Sequence, residues 1–277
     1  MAPSAEAETQ GGLRRRVVSA LVLAPPVAAA VYFGMPYFEL VVALAAVQMA
    51  REWERLCSEG GGQARITSVM AGAAVVTLAI ARGIGILPAV AAALLSALIV
   101  YGTGRRLRVA LPAWLAGGML AIAIPCISFL WLRFEAPAGR TLTLWLLVAV
   151  WATDIGAYAA GRTIGGPRLW PRVSPRKTWA GLLGGMASAA AVSMLTAAWL
   201  GQDSPWVAGA AGILIGGAAQ LGDLAESALK RHFGVKDSGR LIPGHGGLLD
   251  RVDGLIATVP AVAVLTWFFG ASLVAWR

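Results

Sequence analysis

The sequence predicts an all-α, polytopic integral membrane protein of about nine transmembrane helices, with its N-terminus in the cytoplasm. The 277 residues are 58% hydrophobic and only 13% charged, and their mean hydropathy is +0.71. Apolar stretches of about 20 residues recur, and such a stretch rises about 30 Å as a helix, the thickness of a bilayer's hydrocarbon core. Only helices and closed barrels satisfy their backbone groups in lipid.

The elements follow in chain order from the apolar stretches and the polar segments between them. Residues 1–16 are a predicted cytoplasmic tail, and the apolar stretch after Arg14–Arg16 is interpreted as an uncleaved first span rather than a signal peptide. The third and fourth spans are divided only by "RGIGILP", where two could merge into one. The predicted spans are 17–34, 36–50, 67–87, 88–104, 109–132, 141–161, 179–200, 206–229 and 255–275.

The distribution of positive charge supports this order. With the N-terminus inside, the cytoplasmic segments hold 19 of the 23 lysines and arginines, as the positive-inside rule expects. Two basic cytoplasmic loops stand out, at 162–178 and 230–254. We therefore divide the chain into an N-terminal membrane region of about five spans, 17–140, and a C-terminal membrane region, 141–277. The pI near 10.5 follows from this basic face and requires no nucleic-acid partner.

The sequence supports neither a disulfide or metal site at its cysteines nor a P-loop ATPase. Cys57 and Cys126 are far apart and lack metal-ligand spacing, so they are predicted to be unpaired thiols. The phosphate-binding pattern G-x-x-x-x-G-K-[ST] is absent, which argues against a P-loop ATPase.

Acidic residues within the predicted spans require a partner or a function, because an ionised carboxylate in hydrocarbon costs about 3 kcal/mol or more. Asp154 lies eight residues before Arg162, and Asp223 lies seven before Lys230. These spacings place both carboxylates about 10–12 Å from the cytoplasmic helix ends, at a similar depth. Glu39 lies near the opposite interface and is assigned no function.

The stretch "LGDLAESALKR" concentrates polar residues on one side of its predicted helix. Asp223, Glu226, Ser227 and Lys230 are spaced i, i+3, i+4 and i+7, which places them on a single face. One interpretation is that they form ion pairs that only hold helices together. The other is that they line a polar site.

The loop that follows favours a site. Residues 230–254 contain eight charged residues, six glycines and both histidines. Glycines permit close backbone approach to phosphate, and lysines and arginines supply matched donors. Asp250 and Asp253, spaced i and i+3, add carboxylates, and this mixture suggests Mg²⁺ held together with substrate phosphates. The alternatives are that His245 is a turn residue and that Arg231 and Arg251 only mark the membrane boundary.

Two motifs in this half of the chain resemble one family. The stretch "SALKRHFGVKDSGRLIPGHGGLLDRVD", Ser227–Asp253, resembles the full signature of phosphatidate cytidylyltransferases, the CDP-diacylglycerol synthases. The stretch "DIGAYAAGRTIGGPRLWPRVSPRKTWAGLLGG", Asp154–Gly185, resembles the second motif of that family. Together they cover about 100 residues at the C-terminal end, whereas the first 130 or so resemble the family only in being apolar.

The resemblance implies Mg²⁺-dependent transfer of the cytidylyl group of CTP to phosphatidic acid, giving CDP-diacylglycerol and pyrophosphate for phospholipid biosynthesis. It implies that 141–277 is the catalytic region, with Mg²⁺ on Asp223 and Asp250 and a second, monovalent cation, K⁺. It further implies a homodimer, a site on the cytoplasmic side and location in a bacterial inner membrane. The expected catalytic residues are Asp223, Lys230, Arg231, Lys236, Asp250 and Arg251. Asp154, Glu226 and Asp253 are expected to orient the metal ligands. The expected substrate-binding residues are Ser174, Arg176, Lys177, Thr178, Ser227, His245, Gly246 and Gly247.

Two other functions remain open at this point. A CTP-dependent polyprenol or lipid kinase would use similar cations and acids, but it must activate a hydroxyl with a base. An ion-coupled transporter would also bury acids in helices, but near the bilayer midplane and in two related halves. The polar features here lie in the C-terminal third and show no internal repeat.

Overall fold

The computed structural model describes residues 24–58, 63–239 and 246–270, and these form nine helices and one short hairpin. Each predicted apolar segment overlaps one of the nine helices. The hairpin lies between the sixth and seventh helices. The elements are α1 (Ala24–Phe33), α2 (Tyr37–Cys57), α3 (Ala64–Gly83), α4 (Ile86–Arg106), α5 (Pro112–Phe134), α6 (Gly139–Thr163), β1 (Arg168–Trp170), β2 (Ser174–Thr178), α7 (Trp179–Trp199), α8 (Pro205–His232) and α9 (Leu249–Phe269).

Seven of the described helices, α3 to α9, are long and apolar enough to cross a bilayer. Large apolar side chains cover their outer faces, among them Leu98, Leu195 and Phe268, which are more than half exposed. This agrees with the prediction of a helical membrane protein. The count of nine spans and the side of the N-terminus stay predictions.

Several helices continue past their predicted ends. α2 does not stop at residue 50 but runs through "REWERLC" to Cys57, and α9 begins at Leu249 instead of 255. The predicted loop 230–254 is therefore corrected to the shorter segment between His232 and Leu249. The physical reason is that charged residues in these turns have partners inside the protein, so they do not terminate the helices. The third and fourth spans do not merge, because Gly85 adopts φ +124° and interrupts the helical conformation between them.

The predicted loop 162–178 is also corrected, since it folds into an antiparallel hairpin. Strand β1 pairs with β2, with Arg168 opposite Thr178 and Trp170 opposite Ser174. The Thr178 side chain then accepts a hydrogen bond from the Gly181 N–H at 3.0 Å and caps α7. The short strands carry no alternation of apolar residues, so their pattern does not distinguish them from a loop.

Contacts between helix ends define one polar end of the bundle. The C-terminal end of α2 contacts the start of α9, and the C-terminal end of α8 is linked to α9 by Lys230 and Asp250. Strand β2, which leads into α7, is linked to α8 by Lys177 and Asp223. We call this the site end. At the opposite end, Arg82 of α3 pairs with Glu39 of α2 at 2.6 Å.

Two apolar clusters form the core, and α5 and α9 contribute to both. The first cluster joins α2, α3, α4 and α5 to the start of α9, and the second joins the end of α5 to α6, α8 and α9. Both cysteines lie buried in the first cluster as free thiols, as predicted. The N-terminal helices are therefore packed directly against the helix that carries Asp250 and Asp253.

Small residues let α7 and α8 approach closely, as is common where helices pack in membranes. A Cβ atom built on Gly212 would lie 2.6 Å from the carbonyl oxygen of Ala189 and from Oγ of Ser193. Gly217, on the same helix, has only the flexible end of Met186 nearby, at 3.8 Å. The two glycines are matched in helix and chemistry but differ in the space around them.

We expect Gly212→Ala to lower the free energy of unfolding by about 1–3 kcal/mol, because the added methyl group forces α7 and α8 apart. Gly217→Ala should be neutral or slightly stabilising, because alanine favours helix and finds room. Thermal unfolding of the two variants in detergent measures the difference. Equal melting temperatures would contradict the close α7–α8 packing.

Candidate functional site

Three carboxylates meet at the site end between α8 and α9. One oxygen each from Asp223, Glu226 and Asp253 lies within 4.8 Å of the others, and all three side chains are partly buried. Asp223 and Glu226 share one face of α8, as their spacing predicts, and the packing of α9 against α8 adds Asp253. We call these three residues the acidic cluster.

The hairpin places a lysine into this cluster. Nζ of Lys177, on β2, lies 2.7 Å from Oδ2 of Asp223 and 3.3 Å from the carbonyl oxygen of Gln220. Ser227 donates to Oδ1 of Asp223 at 3.3 Å. The motif Ser-Pro-x-Lys-Thr therefore contributes its lysine to the same carboxylate that the α8 motif supplies.

Lys230 connects the acidic cluster to Asp250. Its Nζ lies 2.6 Å from Oε2 of Glu226 and 2.6 Å from Oδ1 of Asp250. The second oxygen of Asp250, Oδ2, accepts from the N–H and the Oγ of Ser238, both at 2.9 Å, and from the N–H of Gly247 at 2.8 Å. Both oxygens of Asp250 are thus bound by protein donors.

The two predicted metal ligands, Asp223 and Asp250, lie in different parts of the site. Asp223 lies in the acidic cluster, together with Glu226 and Asp253, which were predicted to orient ligands. Asp250 holds Lys230 and the loop before α9 instead. Its role as a metal ligand stays a prediction, and the arrangement favours Asp253 as the α9 carboxylate beside Asp223.

The acidic cluster has the chemistry of a hard-cation site. Glu226 is mostly buried, and among the described residues neither of its oxygens accepts a well-directed hydrogen bond, although Oε2 forms the ion pair with Lys230. Buried carboxylate oxygens normally have hydrogen-bond partners. Three carboxylates that meet in this way are the oxygen ligands that a hard cation such as Mg²⁺ takes.

Asp154 approaches the same site from α6. Its carboxylate interacts electrostatically with Asp223, Lys177 and Arg251, and also influences Asp253. It lies beside the cluster, within electrostatic reach of the cations Lys177 and Arg251.

The remaining predicted cations have exposed side chains. Their accessibility suits them to bind phosphate oxygens rather than to pack in the core. They are Arg176, Arg231, Lys236 and Arg251.

The predicted small and polar substrate-binding residues differ in burial and in the contacts they make. Ser174 is half-buried on β2, and Thr178 is buried and caps α7. The N–H of Gly247 is already bound by Asp250, so any role for Gly247 rests on space rather than on its N–H. Gly246 adopts φ +83°, where a side chain would be strained and would contact Asp250. His245 lies outside the described residues.

The sequence profile of the Cytidylyltransferase family matches residues 14–269, which is most of the chain. The chain belongs to the cytidylyltransferase family. A relative from Brucella suis, named phosphatidate cytidylyltransferase, is 48% identical over 158 residues, 57% of this chain and 57% of that protein. A protein of the same name from Staphylococcus saprophyticus is 40% identical over 148 residues, 53% of this chain and 57% of that protein. The chain thus matches little more than half the length of these relatives.

Two residues of this cytidylyltransferase-family site had no predicted role. Ser238 is buried and binds Asp250, and Glu52 on α2 is fully buried and also contacts the loop before α9. Ser238 lies within Ser227–Asp253, the stretch that resembles the family signature, so the sequence could have indicated a role for it. Glu52 lies in "REWER", where only the two arginines entered the positive-inside pattern and the two glutamates were assigned no role.

Proposed function

We propose that the chain is a phosphatidate cytidylyltransferase, which transfers the cytidylyl group of CTP to phosphatidic acid. The observation that carries this proposal is the meeting of the acidic cluster with Lys177 and Lys230 at one end of the membrane-spanning helices, in a chain of the cytidylyltransferase family. The names of the relatives from Brucella and Staphylococcus, both phosphatidate cytidylyltransferases, support phosphatidic acid as the acceptor.

The proposed reaction exchanges one phosphorus–oxygen bond for another. An oxygen of the phosphatidic acid phosphate attacks the α-phosphorus of CTP and forms the new bond. The bond between the α-phosphorus and the α–β bridging oxygen breaks, and pyrophosphate leaves with that electron pair. A phosphate oxygen is already ionised, so no Ser–His or Cys–His pair is required. The main barrier is the approach of two anions, which calls for charge neutralisation and alignment.

The chain's own residues provide this neutralisation in two layers. Lys177 and Lys230 hold the carboxylates of Asp223, Glu226 and Asp250 in place. The exposed cations bind the phosphates of CTP and the lipid, and arginine suits this role because its fork matches two phosphate oxygens at once. These are Arg176, Arg231, Lys236 and Arg251.

The acidic cluster is proposed to hold Mg²⁺ through Asp223 and Asp253, with Glu226 beside them. Mg²⁺ held there would supply positive charge against the negative charge that develops on the leaving pyrophosphate. A second, monovalent cation, K⁺, is proposed from the family resemblance. Asp154 interacts electrostatically with Asp223 and Lys177 and is proposed to orient ligands.

The chain is proposed to have nine spans, with its N-terminus and the site end in the cytoplasm of a bacterium and the helices in the inner membrane. The Lys/Arg bias supports this orientation. The predicted cytoplasmic segments hold 19 of the 23 lysines and arginines, whereas Arg82 and Arg133, predicted to lie outside, are at the opposite end from the site. CTP then reaches the site from water, and the lipid phosphate reaches it at headgroup depth. The division into 17–140 and a catalytic region 141–277, and the homodimer, also remain proposals.

We expect the purified protein in detergent, given phosphatidic acid, CTP and Mg²⁺, to release pyrophosphate and form CDP-diacylglycerol in equal amounts. Omission of the lipid or chelation of Mg²⁺ should stop both products. Release of CDP with a polyprenol acceptor would instead show a CTP-dependent kinase. Absence of turnover with either acceptor, in protein with a normal thermal transition, would refute both and revive the ion-coupled transporter.

A further inference from the structure

Glu52, near the end of α2, is a fully buried carboxylate whose two oxygens are both occupied. Oε1 accepts from the N–H of Leu248 at 2.8 Å and from the side-chain amide of Gln48 at 2.9 Å. Oε2 accepts from the N–H of Leu249 at 2.9 Å and lies 3.4 Å from Oγ of Ser238, the hydroxyl that donates to Asp250. Except for Gln48, these donors belong to the segment that leads into α9.

These contacts perform the task of a helix cap from a distant part of the chain. The first N–H groups of an α-helix have no partner within the helix. Leu248, the N-cap residue of α9, has no side chain that could accept from them. Glu52 supplies the acceptors, although it is 196 residues away from Leu248 in sequence. Its negative charge is also favourable at the positive end of the helix dipole.

The loop is shaped around this carboxylate. A Cβ atom on Gly247 would lie 2.5 Å from Oε2 of Glu52, and a Cβ on Gly239 would lie 3.0 Å from Oε1. Both glycines therefore permit an approach that a side chain would obstruct. The close approach of Glu52, joined at Gly247 by Ser238, gives these two glycines a structural reason.

We propose that Glu52 is a positioning residue, by which the N-terminal helices set the place of the catalytic carboxylates. The first turns of α9 carry Asp250 and Asp253, so the point at which Glu52 anchors α9 determines where these side chains lie relative to Asp223. The inference rests on the proposed function, since it assigns Glu52 a part in the same site. It gives α2 a role in catalysis that the family motifs do not include.

Trp53, the residue after Glu52, also connects α2 to the site. Nε1 of Trp53 donates to the carbonyl oxygen of Trp114 at 2.8 Å, and the Trp114 ring packs on His232, with ring centroids 4.9 Å apart. His232 is the last residue of α8. Consecutive residues of α2 thus contact both helices of the site, α9 directly through Glu52 and α8 by way of Trp114.

The chain contains a matched control two residues away. Glu54 is also buried, and its carboxylate accepts from Oγ of Ser58 at 2.7 Å, the N–H of Gln63 at 2.9 Å and Oγ1 of Thr67 at 3.2 Å. It therefore holds the connection between α2 and α3, where these partners lie, and among the described residues none of them belongs to the site. Glu52→Gln and Glu54→Gln make the same chemical change on the same helix.

We expect Glu52→Gln to lower kcat by about 10- to 100-fold and to raise the Mg²⁺ concentration needed for half-maximal rate, because an amide cannot accept from every donor that the carboxylate holds. Amide hydrogen exchange at Leu248 and Leu249 should become faster. Glu54→Gln should keep kcat and Mg²⁺ dependence within about twofold and leave exchange at these two amides unchanged. Gly247→Ala, which leaves Glu52 in place but displaces the loop, should reproduce the loss of kcat.

Three results would overturn the inference. The first is a Glu52→Gln enzyme with kcat within about twofold of wild type and unchanged exchange. The second is an equal loss of activity in Glu52→Gln and Glu54→Gln that follows their melting temperatures. If Glu52→Gln does not fold, the third result is a Gly247→Ala variant with wild-type kcat. A wild-type protein without cytidylyl transfer would refute the proposed function instead, and the exchange comparison would still test the anchoring contact.

Discussion

Asp223→Asn is expected to reduce cytidylyl transfer by at least about 100-fold while leaving the protein folded. The asparagine keeps the shape of the side chain but removes the charge that Lys177 binds and that a cation in the acidic cluster would require. Loss of a charged ligand acts on the transition state, where the pyrophosphate charge develops. The expected change is therefore in kcat and in the Mg²⁺ dependence, with little change in the melting temperature.

Asp203→Asn is the matched control for this prediction. Asp203 is exposed in the connection between α7 and α8, away from the site end, and its replacement should leave the rate within about twofold. Pyrophosphate release at several Mg²⁺ concentrations measures both variants. Asp253→Asn should resemble Asp223→Asn, whereas Asp250→Asn should also lower the melting temperature. If Asp250→Asn changed only the Mg²⁺ dependence and Asp253→Asn changed nothing, the assignment of the cluster to Asp253 would be wrong.

Lys230→Met is expected to have the largest effect on stability, about 3–5 kcal/mol in the free energy of unfolding. Lys230 lies between the carboxylates of Glu226 and Asp250, and all three side chains are at most 14% exposed. Removing the ammonium group leaves two buried carboxylates without their shared cation. Activity should fall with it, because Asp250 then no longer holds the end of α8 to the start of α9.

A double variant tests the physical reason. Lys230→Met with Asp250→Asn removes one of the uncompensated charges and should recover part of the lost stability, though not the activity. Lys236→Met, at an exposed lysine, should change the free energy of unfolding by less than about 0.5 kcal/mol. Chemical or thermal unfolding in detergent measures the series. A double variant less stable than Lys230→Met alone would show that the ion pairs are not the source of the effect.

Much of the fold was predictable because apolar periodicity is a local property. Each predicted apolar segment overlaps a described helix, and the i, i+3 and i+7 spacing correctly placed Asp223, Glu226 and Lys230 on one face of α8. The helix ends were less predictable. α2 and α9 extend into charged residues because Glu52 and Asp250 find donors within the protein, and those donors are distant in sequence.

The residue types of the site were determined by the sequence itself, which contains the carboxylates, cations and glycines of the two motifs and the apolar helices that carry them. Tertiary structure decided what each carboxylate binds. By residue type and spacing alone Asp250 and Asp253 are equally suited to hold a cation, and the family resemblance favoured Asp250. In the structure Ser238, Gly247 and Lys230 occupy the oxygens of Asp250, and Asp253 meets Asp223. Glu52 had no motif at all, and only the packing of α2 against α9 brings it to the loop. A carboxylate's role depends on which donors fill its oxygens, and here those donors come from helices far apart in the chain.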